Sequence, residues 1–119
     1  MSKILCVSKE YADLLKPALE VRGHEVIIMH TFIDAYRTLL ANPDIQLAIW
    51  DPEYLDPEKG PQLITSFEWI SRVKDSTSHP VIHVGFFYSG YTEAIIKMAK
   101  CDHIFPLIEI VAGVCDLLK

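Results

Sequence analysis

The apolar positions of this 119-residue chain form short continuous runs that alternate five times with stretches of helical spacing. Residues 4–7 are one such run, the pattern of a strand covered on both faces. Residues 11–22 follow with Leu14, Leu15, Ala18 and Leu19 at helical spacing, and Gly23 stands where a left-handed cap stops a helix. Pro17 falls inside that helix, where it costs a backbone hydrogen bond or introduces a kink. Residues 26–29 read as the second strand. Thr31 then stands at an N-cap position with Asp34 three residues on, opening a helix that carries Phe32, Ala35, Leu39 and Leu40. Asn42-Pro43 ends it.

Ile45–Trp50 is apolar at almost every position and predicts a fully covered third strand. The prolines, acidic residues and glycine of residues 51–60 predict a loop. Pro61 suits the first position of a helix whose stripe is Leu63, Ile64, Phe67, Ile70 and Val73. A polar turn at 75–79 leads to a fourth strand at 80–87, and 91–100 predict a short helix. A short strand at 104–105 and a closing helix at 107–118 complete the pattern. Strands alternating with helices of this length pair in parallel through right-handed crossovers, which gives one three-layer α/β domain over residues 1–119. Chemistry in such sheets gathers at the carboxyl ends of the strands: Ser8-Lys9-Glu10, His30, Asp51, Gly85-Phe86 and Pro106.

Composition narrows the picture. Half of the residues are apolar and 23% are charged, as a well-buried globular domain requires. The net charge of −5, with scattered lysines, weighs against nucleic acid and anionic membrane as partners. The N-terminus has no signal-peptide pattern, and no apolar stretch reaches transmembrane length. Cys6, Cys101 and Cys115 are odd in number and sit in apolar surroundings, so reduced thiols and a cytoplasmic location are expected.

The run of elements, with Lys3-Ile4-Leu5-Cys6-Val7, residues 18–26, Asp44 to Asp51 and Pro80-Val81-Ile82, resembles the receiver domain of two-component response regulators over essentially the whole chain. The resemblance implies a flavodoxin-like fold, a five-stranded parallel sheet in the order 2-1-3-4-5 with five helices. It also implies that Asp51 stands at the phospho-acceptor position. The family's chemistry uses an acidic pair after the first strand, a hydroxyl after the fourth and a lysine after the fifth. Carboxylates there hold a Mg²⁺ that neutralises phosphoryl oxygens. Here the acidic pair falls on Ser8 and Lys9, with Glu10 nearby. The hydroxyl position falls on Gly85, and the lysine position on Phe105-Pro106. Lys9 is expected to pair with Asp51 in place of the metal, an attraction of about 4 kcal/mol at an effective dielectric of about 20.

The chain is thus similar to a pseudo-receiver, a signalling module without catalysis of its own that acts through protein partners. The resemblance implies a histidine kinase or an output domain as partner, and possible homodimer formation. Two alternatives stand beside this: a working receiver phosphorylated on Asp51 in a phosphorelay, and a small flavodoxin-like ligand-binding enzyme. Phe86, Phe87, Tyr88 and Tyr91 are unusually aromatic for a switch loop, and with Trp50 they either fill the emptied pocket or form an interface.

No metal or other cofactor is expected. His79 and His83 would lie about 13 Å apart on a strand, too far to share an ion. Cys101-Asp102-His103 has no second ligand pair, and Cys6 lies inside a strand without a phosphate-cradling loop after it. No glycine-rich loop follows any strand, so nucleotide binding has no support.

Overall fold

Five parallel strands form the sheet: β1 (Lys3–Val7), β2 (Glu25–Met29), β3 (Ile45–Trp50), β4 (Ile82–Phe87) and β5 (His103–Pro106), in the order β2-β1-β3-β4-β5. The structure is a computed structural model that describes residues 2–55 and 68–119. Among the described residues the helices are α1 (Ala12–Glu20), α2 (Phe32–Ala41), the single turn α3 (Pro52–Leu55), α4 (Glu68–Ser76), α5 (Gly90–Met98) and α6 (Ile110–Leu117). None is long and apolar enough to cross a membrane. The expected topology of a flavodoxin-like fold is therefore observed.

The central strands are apolar at almost every position because both faces of the sheet are covered. Ile4, Cys6, Leu47, Ile49, Val84 and Phe86 pack against Leu15 and Leu19 of α1 and Ile110 and Val114 of α6. On the opposite face Leu5, Val7, Ala48 and Trp50 meet Ala35 and Leu39 of α2, Ile70 and Val73 of α4, and Ile95 and Ile96 of α5. Each fully buried side chain of this size contributes about 1.5–3 kcal/mol, against about 1 kcal/mol for a helix cap, so the two core layers dominate.

Local signals set the ends. Gly23 takes φ +91° beyond α1, as expected. α1 runs through Pro17, and the chain continues with Val21 N–H donating to the Pro17 carbonyl at 3.0 Å. Thr31 Oγ1 accepts from Asp34 N–H at 3.1 Å and caps α2. Ser89 and Thr92 form a capping box at the start of α5, one residue ahead of the predicted helix.

Two expectations need correction. The segment 51–60 does not begin as a loop: Pro52–Leu55 is a helical turn, because Asp51-Pro52 supplies an N-cap followed by proline at the first helical position. The closing helix is also divided. Leu107–Glu109 is a 3₁₀ turn, and α6 starts only at Ile110. The predicted positions of Pro61, Leu63, Ile64 and Phe67, with the remainder of 51–60, lie outside the described residues.

Candidate functional site

Strand register fixes the site. Val7 of β1 lies beside Trp50 of β3, Trp50 beside Gly85 of β4, and Gly85 beside Ile104 of β5, so Ser8, Asp51, Gly85 and Phe105 come to one end of the sheet. Asp51 N–H donates to the Val7 carbonyl at 3.1 Å and extends the ladder by one residue. The carboxylate then turns inward and is buried, as is Ser8.

Both carboxylate oxygens have partners. Ser8 Oγ donates to Oδ2 at 2.7 Å, and Glu53 N–H donates to Oδ1 at 2.9 Å. Ser8 Oγ also accepts from Tyr11 N–H at 3.1 Å, which leaves its own proton directed at Asp51. Burial pushes the Asp51 carboxyl above its ordinary range, the Glu53 amide and Ser8 hydroxyl draw it back, and the charges of Glu53 and Glu10 raise it again. The charges that act on it are thus both negative.

The expected Lys9–Asp51 pair does not form. Ser8 turns inward at the end of β1 and Lys9 is exposed, while the Ser8 hydroxyl holds the carboxylate oxygen. Bringing an ammonium into that pocket would cost its hydration, whereas the serine hydroxyl enters already paired on both sides. Glu10 is exposed as well.

An aromatic cluster stands beside the carboxylate. The Tyr11 ring meets Phe86 edge-on at 5.6 Å and Tyr88 at 5.3 Å, and Phe86 lies 6.5 Å from Tyr88. The Tyr88 phenol is pushed up to about 12, first by burial and then by the Asp51 charge, with Tyr11, Glu53 and Glu10 adding to it. Phe86 is buried and forms the floor of the cluster, so it offers no surface; Tyr88 and Tyr91 are exposed and Phe87 is half-buried. Tyr11, which periodicity marks only as a helix start, is the member the sequence reading missed.

Trp50 does not join this cluster, contrary to expectation. It lies on the opposite face of the sheet, where its indole N–H donates to His83 Nδ1 at 3.0 Å. The acceptor role of Nδ1 fixes the tautomer with the proton on Nε2. Burial pushes His83 down to about 4, with the Asp102 charge opposing and Lys74 adding to the effect. His83 N–H donates to Asp102 Oδ2 at 2.8 Å, and Asp102 Oδ1 pairs with Lys74 Nζ at 2.7 Å.

The remaining family positions are occupied by bulk. A Cβ built on Gly85 would lie 2.8 Å from Ile96 Cγ2 and 3.1 Å from Cys101 Sγ, so the space of a hydroxyl-bearing side chain is filled. Phe105 packs on α6, where a Cβ on Gly113 would come within 2.7 Å of its ring. Pro106 lines a surface groove. Cys6 is buried and its thiol is pushed up to about 12 by burial and then by the Asp51 charge, which keeps it protonated at neutral pH.

The family's divalent cation would need carboxylate ligands at this end of the sheet. Mg²⁺ demands octahedral oxygen coordination at about 2.0–2.1 Å. Among the described residues no group of three or more His, Cys, Asp or Glu side chains could hold a metal, and both Asp51 oxygens already accept hydrogen bonds. The donor set does not fit the ion.

No family model matches the chain, and no curated protein matches it in sequence. Solved structures do match in fold. The response regulator receiver domain protein (CheY-like) from Methanospirillum hungatei JF-1 is 21% identical over 99% of this chain and 94% of its own, with a TM-score of 0.68. The inactive form of the regulatory domain from the repressor of iron transport regulator is 11% identical over 99% of this chain and 95% of its own, at 0.76. A chain from the complex of histidine kinase ThkA with response regulator protein TrrA is 20% identical over the full length of both, at 0.71. At these identities the likeness is one of fold, and the fold is that of response-regulator receiver domains.

Proposed function

We propose that this chain is a pseudo-receiver: a two-component-type signalling domain that works by protein–protein interaction without phosphorylation, and not as an enzyme. The observation that carries the reading is the state of Asp51. Its oxygens are held by Ser8 Oγ and Glu53 N–H, and the charges that reach it are those of Glu10 and Glu53. A phosphoryl group adds about −1.5 to −2 charge at neutral pH. Placing it here sets that charge against two carboxylates, with Phe105 where the family's lysine would stand and Gly85 where its hydroxyl would stand.

A protein partner, such as a histidine kinase or an output domain, fits this role, since one structural neighbour is a kinase–regulator complex. The competing reading, a working receiver phosphorylated on Asp51, has the place of Asp51 at the end of β3 in its favour. Beryllofluoride, which mimics an acyl phosphate on a carboxylate, separates the two. With Mg²⁺ present, amide spectra of the wild type should show no saturable shifts around Asp51 beyond those of Asp51→Asn. Saturable shifts that vanish in Asp51→Asn would establish a working receiver.

A further inference from the structure

A pocket of about 250 Å³ opens at the amino ends of β4 and β5, the opposite end of the sheet from Asp51. Lys74 in the last turn of α4 and Thr77 just beyond it line one part, and Asp102 in the corner ahead of β5 lines another. His79 stands in the bend before β4, not on the strand, and lines the same pocket. The most buried member is His83, which is 1% exposed. None of these residues belongs to the site around Asp51.

The hydrogen bonds already made decide what the pocket can accept. The Trp50 indole N–H occupies Nδ1 of His83, so the imidazole carries its proton on Nε2, and no described residue accepts it. A donor on so enclosed a side chain calls for an acceptor. The same bond rules His83 out as a metal ligand, because its one free lone pair is already committed. The Thr77 hydroxyl donates to the Val73 carbonyl at 3.0 Å. Both Asp102 oxygens are taken, Oδ1 by Lys74 at 2.7 Å and Oδ2 by the His83 backbone N–H at 2.8 Å. Lys74 Nζ also reaches the Lys100 carbonyl at 3.5 Å, which leaves it a third N–H. His79 adds an imidazole whose buried Nε2 has no partner. The groups left over are mainly donors.

We propose that this pocket binds a small oxyanion, a phosphate or a short carboxylate, between His83 Nε2–H and the Lys74 ammonium. An oxyanion brings two or more acceptor atoms on a body small enough for this volume, and a hydrogen bond from an ammonium is about twice as strong as a neutral one. The surrounding charges nearly balance. Lys74 neutralises Asp102 at contact, and on the same segments Arg72 and Lys100 are positive and Asp75 negative. The carbonyl end of α4 is weakly negative, and across His79 and Pro80 Glu25 stands near the Lys3–Asp44 pair. The anion is therefore held by contact with the donors and not drawn in by the wider field, which keeps its affinity low. The site goes beyond the interaction-module reading and does not depend on the state of Asp51.

The test follows amide and imidazole N–H signals of the 119-residue chain while inorganic phosphate, acetate or acetamide is added at constant ionic strength set with sodium chloride. Phosphate or acetate should give saturable shifts at Thr77, Val81 and His83, including the His83 Nε2–H signal, with a dissociation constant on the order of 1–10 mM. Saturation by phosphate alone marks a tetrahedral ligand and by acetate alone a planar one, and either supports the site. Acetamide, the neutral counterpart of acetate, should bind about tenfold more weakly or not at all. Lys74→Met should weaken the anion by about tenfold or more, and Lys74→Arg should retain it. Asp102→Asn keeps an acceptor for the His83 backbone N–H and removes the nearest negative charge, so it should tighten binding by about threefold. A Lys74–Asp102 pair with a structural role alone gives no such tightening. Acetamide binding as well as acetate, shifts that stay linear with both anions, an unresponsive His83 Nε2–H, a Lys74→Met variant that binds as the wild type does, or no gain in Asp102→Asn would each overturn the proposal.

Discussion

Acid should destabilise this protein through one buried histidine. His83 is 1% exposed, and its Nδ1 accepts the Trp50 indole N–H at 3.0 Å. An imidazolium has two N–H donors and no acceptor, so protonation sets two donors face to face and breaks that bond. The folded state accordingly holds His83 neutral down to about 4, against 6.5 for the free side chain. A depressed folded pKa means that the unfolded chain takes up the proton first. Stability is full above pH 6.5, falls by roughly 1.4 kcal/mol per unit below it, and levels off near 4 after a loss of about 3 kcal/mol. Asp102, whose carboxyl is held low by the Lys74 and His83 amide hydrogen bonds that outweigh its burial, loses its stabilising contribution only as pH falls below the ordinary carboxylate value of 3.8. Asp51 runs the other way: its raised carboxyl is protonated earlier in the folded state, which offsets part of the loss toward the acid end of the window.

Urea unfolding followed from about pH 7.5 to 5 therefore isolates His83. The control is His83→Asn, whose amide oxygen can accept from the Trp50 indole near the place of Nδ1 but does not titrate. The wild type should lose about 2 kcal/mol across this range, and the variant should be flat to within about 0.5 kcal/mol. Equal slopes in both proteins would show that His83 titrates normally and that its buried, neutral assignment is wrong. A flat wild-type profile would have the same meaning.

Other perturbations have defined outcomes. Asp51→Ala removes the partner of Ser8 and of Glu53 N–H and should cost about 1–3 kcal/mol in urea unfolding, whereas Asp51→Asn keeps an acceptor and should cost less. Gly85→Thr, which restores the family's hydroxyl, should destabilise by about 1–3 kcal/mol because Ile96 and Cys101 occupy its space, and it should not confer beryllofluoride binding. Cys6 should resist a thiol reagent in the native protein and react only after unfolding, while half-buried Cys115 reacts first. Lys74→Met should change stability by less than about 1 kcal/mol, since the Lys74–Asp102 pair is more than a third exposed on both sides.

The strands were legible because the layers on both sides of the sheet leave a continuous apolar run at each central strand. The caps at Gly23 and Thr31 were legible because each depends on one residue and its immediate neighbours. What such runs hide is the face to which a side chain points. When every position of a strand is apolar, period-two alternation carries no information, and Trp50 and Phe86 were grouped although they lie on opposite faces. Register separates them: Trp50 lies beside Gly85, which places Phe86 on the other side. The fate of Lys9 follows from the same geometry, since at the end of β1 inward Ser8 leaves Lys9 facing outward. The turn at Pro52 has its signal in Asp51-Pro52, but the same proline, together with Pro57, the acidic residues and Gly60, reads as a loop by composition. The Trp50–His83 bond joins residues 33 positions apart and has no local sequence signal.

A phosphorylation switch needs a side chain with two stable positions and space to occupy in each. At Gly85 neither condition holds: the residue has no side chain, and Ile96, wholly buried, stands where one would go. On the near side of the sheet Phe86 and the Tyr11 and Tyr88 rings fill the region beside Asp51, and Phe105 is packed on Gly113 of α6. Close packing of this kind gives one arrangement rather than two, because each aromatic ring excludes the displaced position of its neighbour. Asp51 then acts as a joint among β1, β3 and α3, through Ser8 and Glu53, and its negative charge remains to colour the field at Tyr88. The consequence reaches the surface. Under the pseudo-receiver reading proposed above, the described strand ends hold one packed arrangement, and a partner would recognise this domain by a surface whose shape does not depend on Asp51.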